Sequence, residues 1–386
     1  MNVFLTGATG LLGGELLIIL SKRKEINKIF CLIRSSDENE AILKLENVFN
    51  IHNDFFDKEK VSVILGDLAD DNLTSILQQK PELKNINLII HSAANTSFSR
   101  IYDDLVEKIN IDGLNKVVQW AKRLKNLSTF LYIGTASICG KDITNRIVFE
   151  DESPNITARH LVKYTYTKMQ SEILLHRELP EDKILIARPS IIMGDSRPVV
   201  PRSPVILWAV ATINMLRLCP FNPHSQLDMI SVDFAAAAID KLLFSERRHR
   251  VYHISSDLES STTSYKLSKA MEPFFTELPP FKFVPKTQLN QLKLWSKGLI
   301  NKSNGLAEYA DYCSYWMRIF KDKGNLRIIF SGLEPYIEFI ELGQVFDNSR
   351  LLTELNINPP VPAHDYLYES IEYLKSIDIL EGAFNS

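Results

Sequence analysis

The sequence predicts an α/β protein, a doubly wound parallel sheet followed by a smaller, mostly helical C-terminal region. Three observations carry this. Six short apolar runs, the first starting at Asn2 and the last ending at Ala187, alternate with helix-length stretches. Gly7, Gly10 and Gly13 stand between the first such run and the first helical stretch. From Ser256 onward the alternation stops and helices and loops take over.

Asn2–Thr6 is long enough for one buried strand, and Leu11–Leu20 reads as the first turns of a helix. Strand, glycine turn and helix in that order are what a dinucleotide fingerprint requires. A glycine lets the backbone approach a pyrophosphate, and the helix start offers free N–H groups and positive dipole to it. The spacing is GxxGxxG rather than GxGxxG. Ile29–Ile33 is the second strand and ends at Arg34, where a dinucleotide fold places the residue that meets the adenosine ribose. An acidic side chain there would accept from the 2′-hydroxyl of NAD. A guanidinium suits the 2′-phosphate of NADP. Lys44, in the following helical stretch, is expected to add a second positive charge.

Val61–Leu65 is the third strand, closed by Gly66-Asp67-Leu68; Asp67 either accepts from an adenine amino group or caps its loop. Leu88–Ile90 is the fourth, and the small residues Ser92, Ala93 and Ala94 after it let backbone approach a cofactor where the sheet opens. Asn110–Leu124 reads as a helix with Ile111, Leu114, Val117, Val118 and Ala121 on one face. Asn110 either holds the following strand by side-chain hydrogen bonds or caps. Phe130–Ile133 is the fifth strand and runs into Gly134-Thr135; Tyr164–Glu172 is helical; Ile184–Ala187 is the sixth strand, followed by Arg188, Pro189, Ser190 and Ile191. Three prolines between Gly194 and Pro204 predict a surface loop, then a helix over Val205–Leu218. Ala235–Leu243 is a further helix, Val251–Ile254 a last strand, and Glu308–Phe320 and Ala363–Ile377 are helical stretches of the tail. The division this gives is a dinucleotide-binding domain over 1–256 and a substrate-binding region over 257–386, with 194–224 contributing to the substrate side.

Tyr164 and Lys168 are four residues apart, so on a helix they project from one face about a turn apart. A nearby ammonium favours the phenolate and brings a tyrosine towards the working range of a general acid. Thr135, at the end of the fifth strand, supplies a hydroxyl able to hold a carbonyl oxygen, with Ser137 in reserve. A proton donor, its tuning cation and a carbonyl polariser are what hydride transfer to C=O needs. The bare Tyr-x-x-x-Lys pattern recurs at Tyr265/Lys269, beyond the last strand, where it reads as a solvated helix face. Tyr166 has no lysine partner and reads as packing, and Cys139 as a small buried residue rather than a nucleophile.

A net charge of −3, from 44 basic and 47 acidic residues, excludes neither sign of small ligand but gives no nucleic-acid or membrane electrostatics. The basic run Glu246–Arg250 reads as a solvated helix end. The four cysteines form no metal-ligand spacing, which predicts a reduced, cytoplasmic protein without structural zinc. The apolar start lacks the basic flank of a signal peptide.

Taken together, TGATGLLG, the Thr135/Tyr164/Lys168 set and RPSIIMG at 188–194 resemble an extended short-chain dehydrogenase/reductase. CLIRSS at 31–36, HSAANTSF at 91–98, NIDGLNKVV at 110–118 and IGTASICG at 133–140 resemble the branch shared by fatty acyl-CoA reductases and thioester reductase domains. That resemblance implies NADP(H) as cofactor, held by Thr6, Gly7, Thr9, Gly10, Leu11, Leu12, Gly13, Arg34, Lys44, Asp67, Leu68, Ser92, Ala93, Ala94, Pro189, Ser190 and Ile191. Tyr164 and Lys168 would serve both the cofactor and, with Thr135, the reaction. It further implies reduction of an acyl thioester, on coenzyme A or a carrier protein, to an aldehyde, with onward reduction to the alcohol left open. Two other enzymes of the same construction stay open, a ketone or aldehyde reductase and a sugar-nucleotide epimerase or dehydratase. A non-catalytic NADP-sensing module is the alternative of another class. The sequence departs from the family twice. Pro198 stands where a glycine usually follows GDSR, and there is no hydrophobic C-terminal anchor, which leads to the expectation of a soluble, stand-alone enzyme.

Overall fold

A computed structural model describes residues 1–199, 204–300 and 306–385. Seven strands form one sheet: β1 (Asn2–Thr6), β2 (Lys28–Ile33), β3 (Val61–Leu65), β4 (Leu88–His91), β5 (Thr129–Ile133), β6 (Ile184–Pro189) and β7 (Val251–Ile254). Their spatial order is β7-β6-β5-β4-β1-β2-β3, every pair parallel. The order reverses between β1 and β4, which is where an open α/β sheet leaves a crevice at the carboxyl ends of its strands. Thr6 lies beside His91 there, and His91 beside Tyr132.

Alternate residues of each strand enter two cores, because helices cover both faces. Val3 and Leu5 pack with α1 (Leu11–Lys22) and α2 (Glu38–Ile51). Phe4, on the opposite face, packs with α3 (Leu73–Gln79), α4 (Leu114–Ala121) and the Leu174–Leu175 turn of α5 (Lys163–Glu178). Phe4 and Trp120 stand ring to ring, 4.7 Å between centroids. The six strands and the last one thus stand where the apolar runs place them, shifted by no more than two residues at either end.

The helix expected from Asn110 starts earlier, at Asp103, and passes through a π-helical stretch, Lys108–Gly113, before α4. Beyond β6, α6 (Pro204–Leu216) and α7 (Val232–Phe244) flank a short parallel bridge between Ile191–Ile192 and Met229–Ile230. Of the proline loop, residues 200–203 lie outside the described residues. The part before them is fastened: the Arg197 guanidinium reaches Asp195 at 2.7 Å and the buried Glu15 of α1 at 2.8 Å.

The tail builds a second body from α8 (Ser264–Met271), whose Leu267 and Met271 pack with Met193 and Leu207, and from α9 (Thr287–Ser296), α10 (Ala310–Phe320) and α11 (Lys323–Leu342) around Trp208, Trp295, Trp316 and Phe330. The helix expected over Ala363–Ile377 is broken in three, with a 3₁₀ turn at Leu367–Ser370 between two short helices. The division at residue 256 marks the end of the βα rhythm, but the chain crosses back over it. Leu351 and Leu355 of α12 (Ser349–Leu355) belong to the core that holds Val3 and Ile254. Residues 346–348 also cover the outer edge of β7: the Phe346 carbonyl accepts from Ser255 Oγ at 2.7 Å, and Asn348 Nδ2 donates to the Ser255 carbonyl at 2.7 Å. An uncovered edge strand would leave such groups without partners.

Candidate functional site

The crevice at the carboxyl edge of the sheet opens into a cavity of about 760 Å³. Its floor is the glycine turn. Gly7 adopts φ +77°, and a Cβ there would stand 2.7 Å from the Ala93 nitrogen. A Cβ on Gly13 would stand 2.0 Å from the Gly7 carbonyl oxygen. Gly10 is less constrained, with 3.3 Å to the same oxygen. The turn is closed by Gly10 N–H donating to Gly7 at 2.9 Å. Gly10 caps α1 with no side-chain hydrogen bond, and the first turn carries no acidic residue, so the helix start keeps donors for an anion. This close-packed glycine cradle under free N–H groups fits a dinucleotide pyrophosphate. Thr6, buried at the end of β1, accepts from Ala93 N–H at 3.2 Å and so ties the turn to the strand end beside it.

Thr6, Gly7, Thr9, Gly10, Leu11, Leu12, Gly13, Arg34, Asp67, Leu68, Ser92, Ala93, Ala94, Thr135, Tyr164, Lys168, Pro189, Ser190 and Ile191 all line this one cavity. Lys44 does not. Its ammonium sits on the Arg34 carbonyl at 3.0 Å and on Glu40 at 2.7 Å. Lys44, with the Ser35 and Ser36 hydroxyls, holds the Glu40 carboxyl well below the usual carboxylate range. The second positive charge expected from Lys44 is therefore shared with a carboxylate, which leaves Arg34 as the exposed cation of this end. Asp67 Oδ1 accepts from Ala69 N–H at 2.9 Å, the loop-capping role.

At the other end three side chains converge. Thr135 is buried, its hydroxyl 3.4 Å from the Pro189 carbonyl and 3.4 Å from Ser137 N–H. Burial pushes the Tyr164 phenol up to about 12, and a hydrogen bond with Thr135 pulls it back. Lys168 is buried and donates to the Ile133 carbonyl at 2.7 Å, with its nitrogen 5.9 Å from the Tyr164 ring centroid and 4.9 Å from that of Tyr132. Burial brings Lys168 down to about 7, against the pull of Glu172. A phenol, a hydroxyl and an amine poised near neutrality thus share one wall.

Asn110 acts on the preceding loop rather than the following strand. Its carboxamide accepts from Asn95 N–H at 2.8 Å and donates to the Asn95 carbonyl at 3.0 Å and the Thr167 hydroxyl at 2.9 Å. Its own carbonyl accepts from Ser171 at 3.0 Å. Asn110 lies in the π-helical stretch, a distortion frequent at functional sites. Burial pushes the Cys139 thiol up to about 12, which removes it as a nucleophile. Tyr166 packs against His160 and under Lys163, 5.9 and 5.1 Å away. Tyr265 is exposed and Lys269 pairs with Glu272 at 2.8 Å. The other face of that helix, through Ser264, Leu267, Ser268 and Met271, lines the cavity.

Several site residues gave no signal in the sequence. Phe98 lies 6.3 Å from Tyr164 and stacks on Tyr336 and Phe339 of α11 at 5.0 and 5.2 Å. The cavity continues beyond this aromatic layer along Ala209, Met229, Met271 and Phe281. Asp228, buried and raised to about 6 by burial, accepts from Ser256 N–H and Phe346 N–H at 2.7 and 2.9 Å and locks the tail beside the cavity wall. None of these is marked by spacing. Glu172 was not singled out either; its place four residues beyond Lys168 is the one signal that points to it. Among the described residues no helix is long and apolar enough to cross a membrane, and no group of three or more His, Cys, Asp or Glu could hold a metal ion.

Residues 5–239 match the NAD-binding family model described as male sterility protein. Among curated proteins, fatty acyl-CoA reductase 1 of Pongo abelii is 24% identical over 271 residues, 60% of this chain and 52% of that protein. The chain spans about half the length of the first curated relatives it matches. The terminal R domain of the myxalamid PKS-NRPS pathway superposes with a TM-score of 0.69 at 20% identity, covering 96% of this chain and 90% of that one. UDP-glucuronic acid 4-epimerase of Bacillus cereus, solved with UDP-glucuronic acid and NAD, gives 0.64 at 17% identity over 97% and 99%. These two likenesses establish a shared fold. With its glycine cradle, its seven-stranded sheet and a family match over more than half of its length, this chain belongs to the male sterility protein family of extended short-chain dehydrogenases/reductases.

Proposed function

We propose that this protein is an NADPH-dependent reductase of acyl thioesters, releasing an aldehyde and a free thiol. The observation that carries the reading is the single cavity that runs from the glycine cradle past Tyr164 into an apolar half walled by Ala209, Met229, Met271 and Phe281. Such a wall suits an acyl chain and offers few partners to the hydroxyls of a nucleotide sugar, each of which would lose its water on entry. Fatty acyl-CoA reductases among the relatives support the same substrate class.

Bound NADPH supplies the hydride that reaches the carbonyl carbon. The chain does the rest. Thr135 and Tyr164 hold the carbonyl oxygen, and Tyr164 delivers the proton as charge develops there. Lys168, which would also hold the nicotinamide ribose, places a positive charge 5.9 Å from the Tyr164 ring that favours its phenolate and so eases proton delivery. Return of the proton from the hemithioacetal oxygen to the Tyr164 phenolate lets the C–S bond break; the sulfur leaves as a thiolate and takes a proton from water to give the thiol. Arg34 pairs with the 2′-phosphate. Coenzyme A and carrier-protein thioesters are both accommodated by this chemistry. A cytoplasmic setting belongs to the same proposal and rests on cysteine usage.

The test is NADPH oxidation against acyl-CoA, acyl-carrier-protein, simple carbonyl and UDP-sugar panels, with free thiol measured alongside. One thiol per NADP formed is expected. Turnover of simple carbonyls or sugars alone overturns the reading, and NADPH binding without any turnover points to a sensing module. Two variants refine it. Arg34→Ala is expected to weaken NADPH by about 10- to 100-fold while NADH binding stays within about twofold, measured by titration, because a charge-assisted contact to phosphate is lost. Ala209→Trp, on a cavity wall where Ala209 is nearly buried, is expected to shift preference to shorter acyl chains with kcat on those preserved.

A further inference from the structure

Beneath the Tyr164–Lys168 face lies an ion pair that the scheme above leaves unused. Glu172 is one further turn along α5, so Tyr164, Lys168 and Glu172 form a column on one helix face. The Arg188 and Glu172 side chains are 3% and 0% exposed. Arg188 Nε stands 3.1 Å from both carboxylate oxygens, Nη2 2.8 Å from Oε2, and Nη1 3.3 Å from the Glu152 carbonyl. A Cβ on Gly134 would lie 2.9 Å from Glu172 Oε1. The carboxylate therefore presses on the backbone between the Ile133 carbonyl, which holds Lys168, and Thr135. A buried pair of this kind is a weak source of stability, since apolar replacement is often neutral or better. Its position beneath Gly134, between the carbonyl that holds Lys168 and Thr135, gives it another use.

We propose that Glu172, clamped by Arg188, is a positioning residue for thioester reduction: its carboxylate stands under the backbone that carries the Ile133 carbonyl and Thr135, and one helical turn from Lys168, and so holds the amine and the hydroxyl in register. The proposal rests on the role given to Lys168 above. The other titratable and charged groups around Lys168 are His91 from β4, Tyr132 from β5, Tyr164 on its own helix, and Arg188 from β6. His91 is driven down to about 3 by burial and then by Lys168 itself, and burial raises Tyr132, so both are neutral at working pH. Glu172 is the one anion that pulls Lys168 back up.

The experiment uses the full chain with Glu172→Gln, Glu172→Asp and the double variant E172Q/R188M. It reads the pH profile of kcat and, without turnover, the pH dependence of NADPH affinity by fluorescence. Removing the anion lowers the Lys168 titration, so the alkaline limb moves towards acid by about one unit. For a limb near 7 the rate then falls about twofold at pH 6 and about eightfold at pH 7.5. Glu172→Asp is expected to restore the wild-type limb. Should Glu172→Gln fail to fold, the double variant, neutral and of similar volume, reads a shift in the same direction but smaller, because the Arg188 cation is lost with the anion. An unmoved limb in a folded variant overturns the proposal whatever the rate. A wild type that reduces no thioester overturns the functional reading instead, and the NADPH-affinity limb then decides this proposal on its own.

Discussion

Tyr164→Phe is expected to lower kcat for thioester reduction by about 10²- to 10⁴-fold while NADPH affinity stays within about twofold. The ring is kept, and with it the contact to Phe98 at 6.3 Å and the wall of the cavity. The only atom lost is the hydroxyl that bonds to Thr135. Of its neighbours among the described residues, Lys168 already donates to the Ile133 carbonyl at 2.7 Å and the Thr135 hydroxyl to the Pro189 carbonyl at 3.4 Å, so neither replaces it as proton donor. Cys139 faces elsewhere with its thiol raised to about 12, and Tyr166 is occupied with His160. Steady-state rates with free-thiol detection, beside a fluorescence titration of NADPH, check both halves. A variant that keeps its full rate removes Tyr164 from the chemistry.

Gly13→Ala is expected to cost about 1–3 kcal/mol of stability, as overpacking does, and to weaken NADPH at least about tenfold. The new methyl would stand 2.0 Å from the Gly7 carbonyl oxygen and 2.7 Å from its carbon. Gly7 cannot yield, because it holds φ +77° and itself rests against Ala93 and the end of Ser92. The strain must then open the turn that faces the cofactor. Gly10→Ala, with 3.3 Å to the same oxygen, is expected to be several-fold milder in both readouts. Urea unfolding midpoints and NADPH titration of the two variants side by side test the ranking. Equal effects would show that the cradle is not set by the Gly7–Gly13 approach.

Much of this molecule is legible in its sequence. Strands buried on both faces need unbroken apolar runs, and the seven runs found in the sequence are the seven strands of the sheet. The pairing of Tyr164 with Lys168 follows from helical periodicity alone, and the first of two Tyr-x-x-x-Lys patterns was separated from the second by its place between two strands. Arg34 was legible because a strand end fixes distance from the glycine turn. Lys44 was not, because whether a surface lysine meets a ligand or a neighbouring Glu40 depends on side-chain geometry that spacing does not carry. Asn110 misled for a related reason: its partners, Asn95 and Thr167, are 15 and 57 residues away and are met through a π-helical distortion that no period announces.

The sequence by itself determined the doubly wound sheet, the cradle and the three polar side chains, because each depends on local period or on glycine's lack of a Cβ. Tertiary structure alone decided the apolar half of the cavity, the Phe98–Tyr336–Phe339 layer over Tyr164 and the return of residues 345–355 to the edge of β7. Those features join parts of the chain that are far apart in sequence, and burial there is settled by which apolar surfaces meet once the sheet has formed, a question that hydrophobic pattern leaves open.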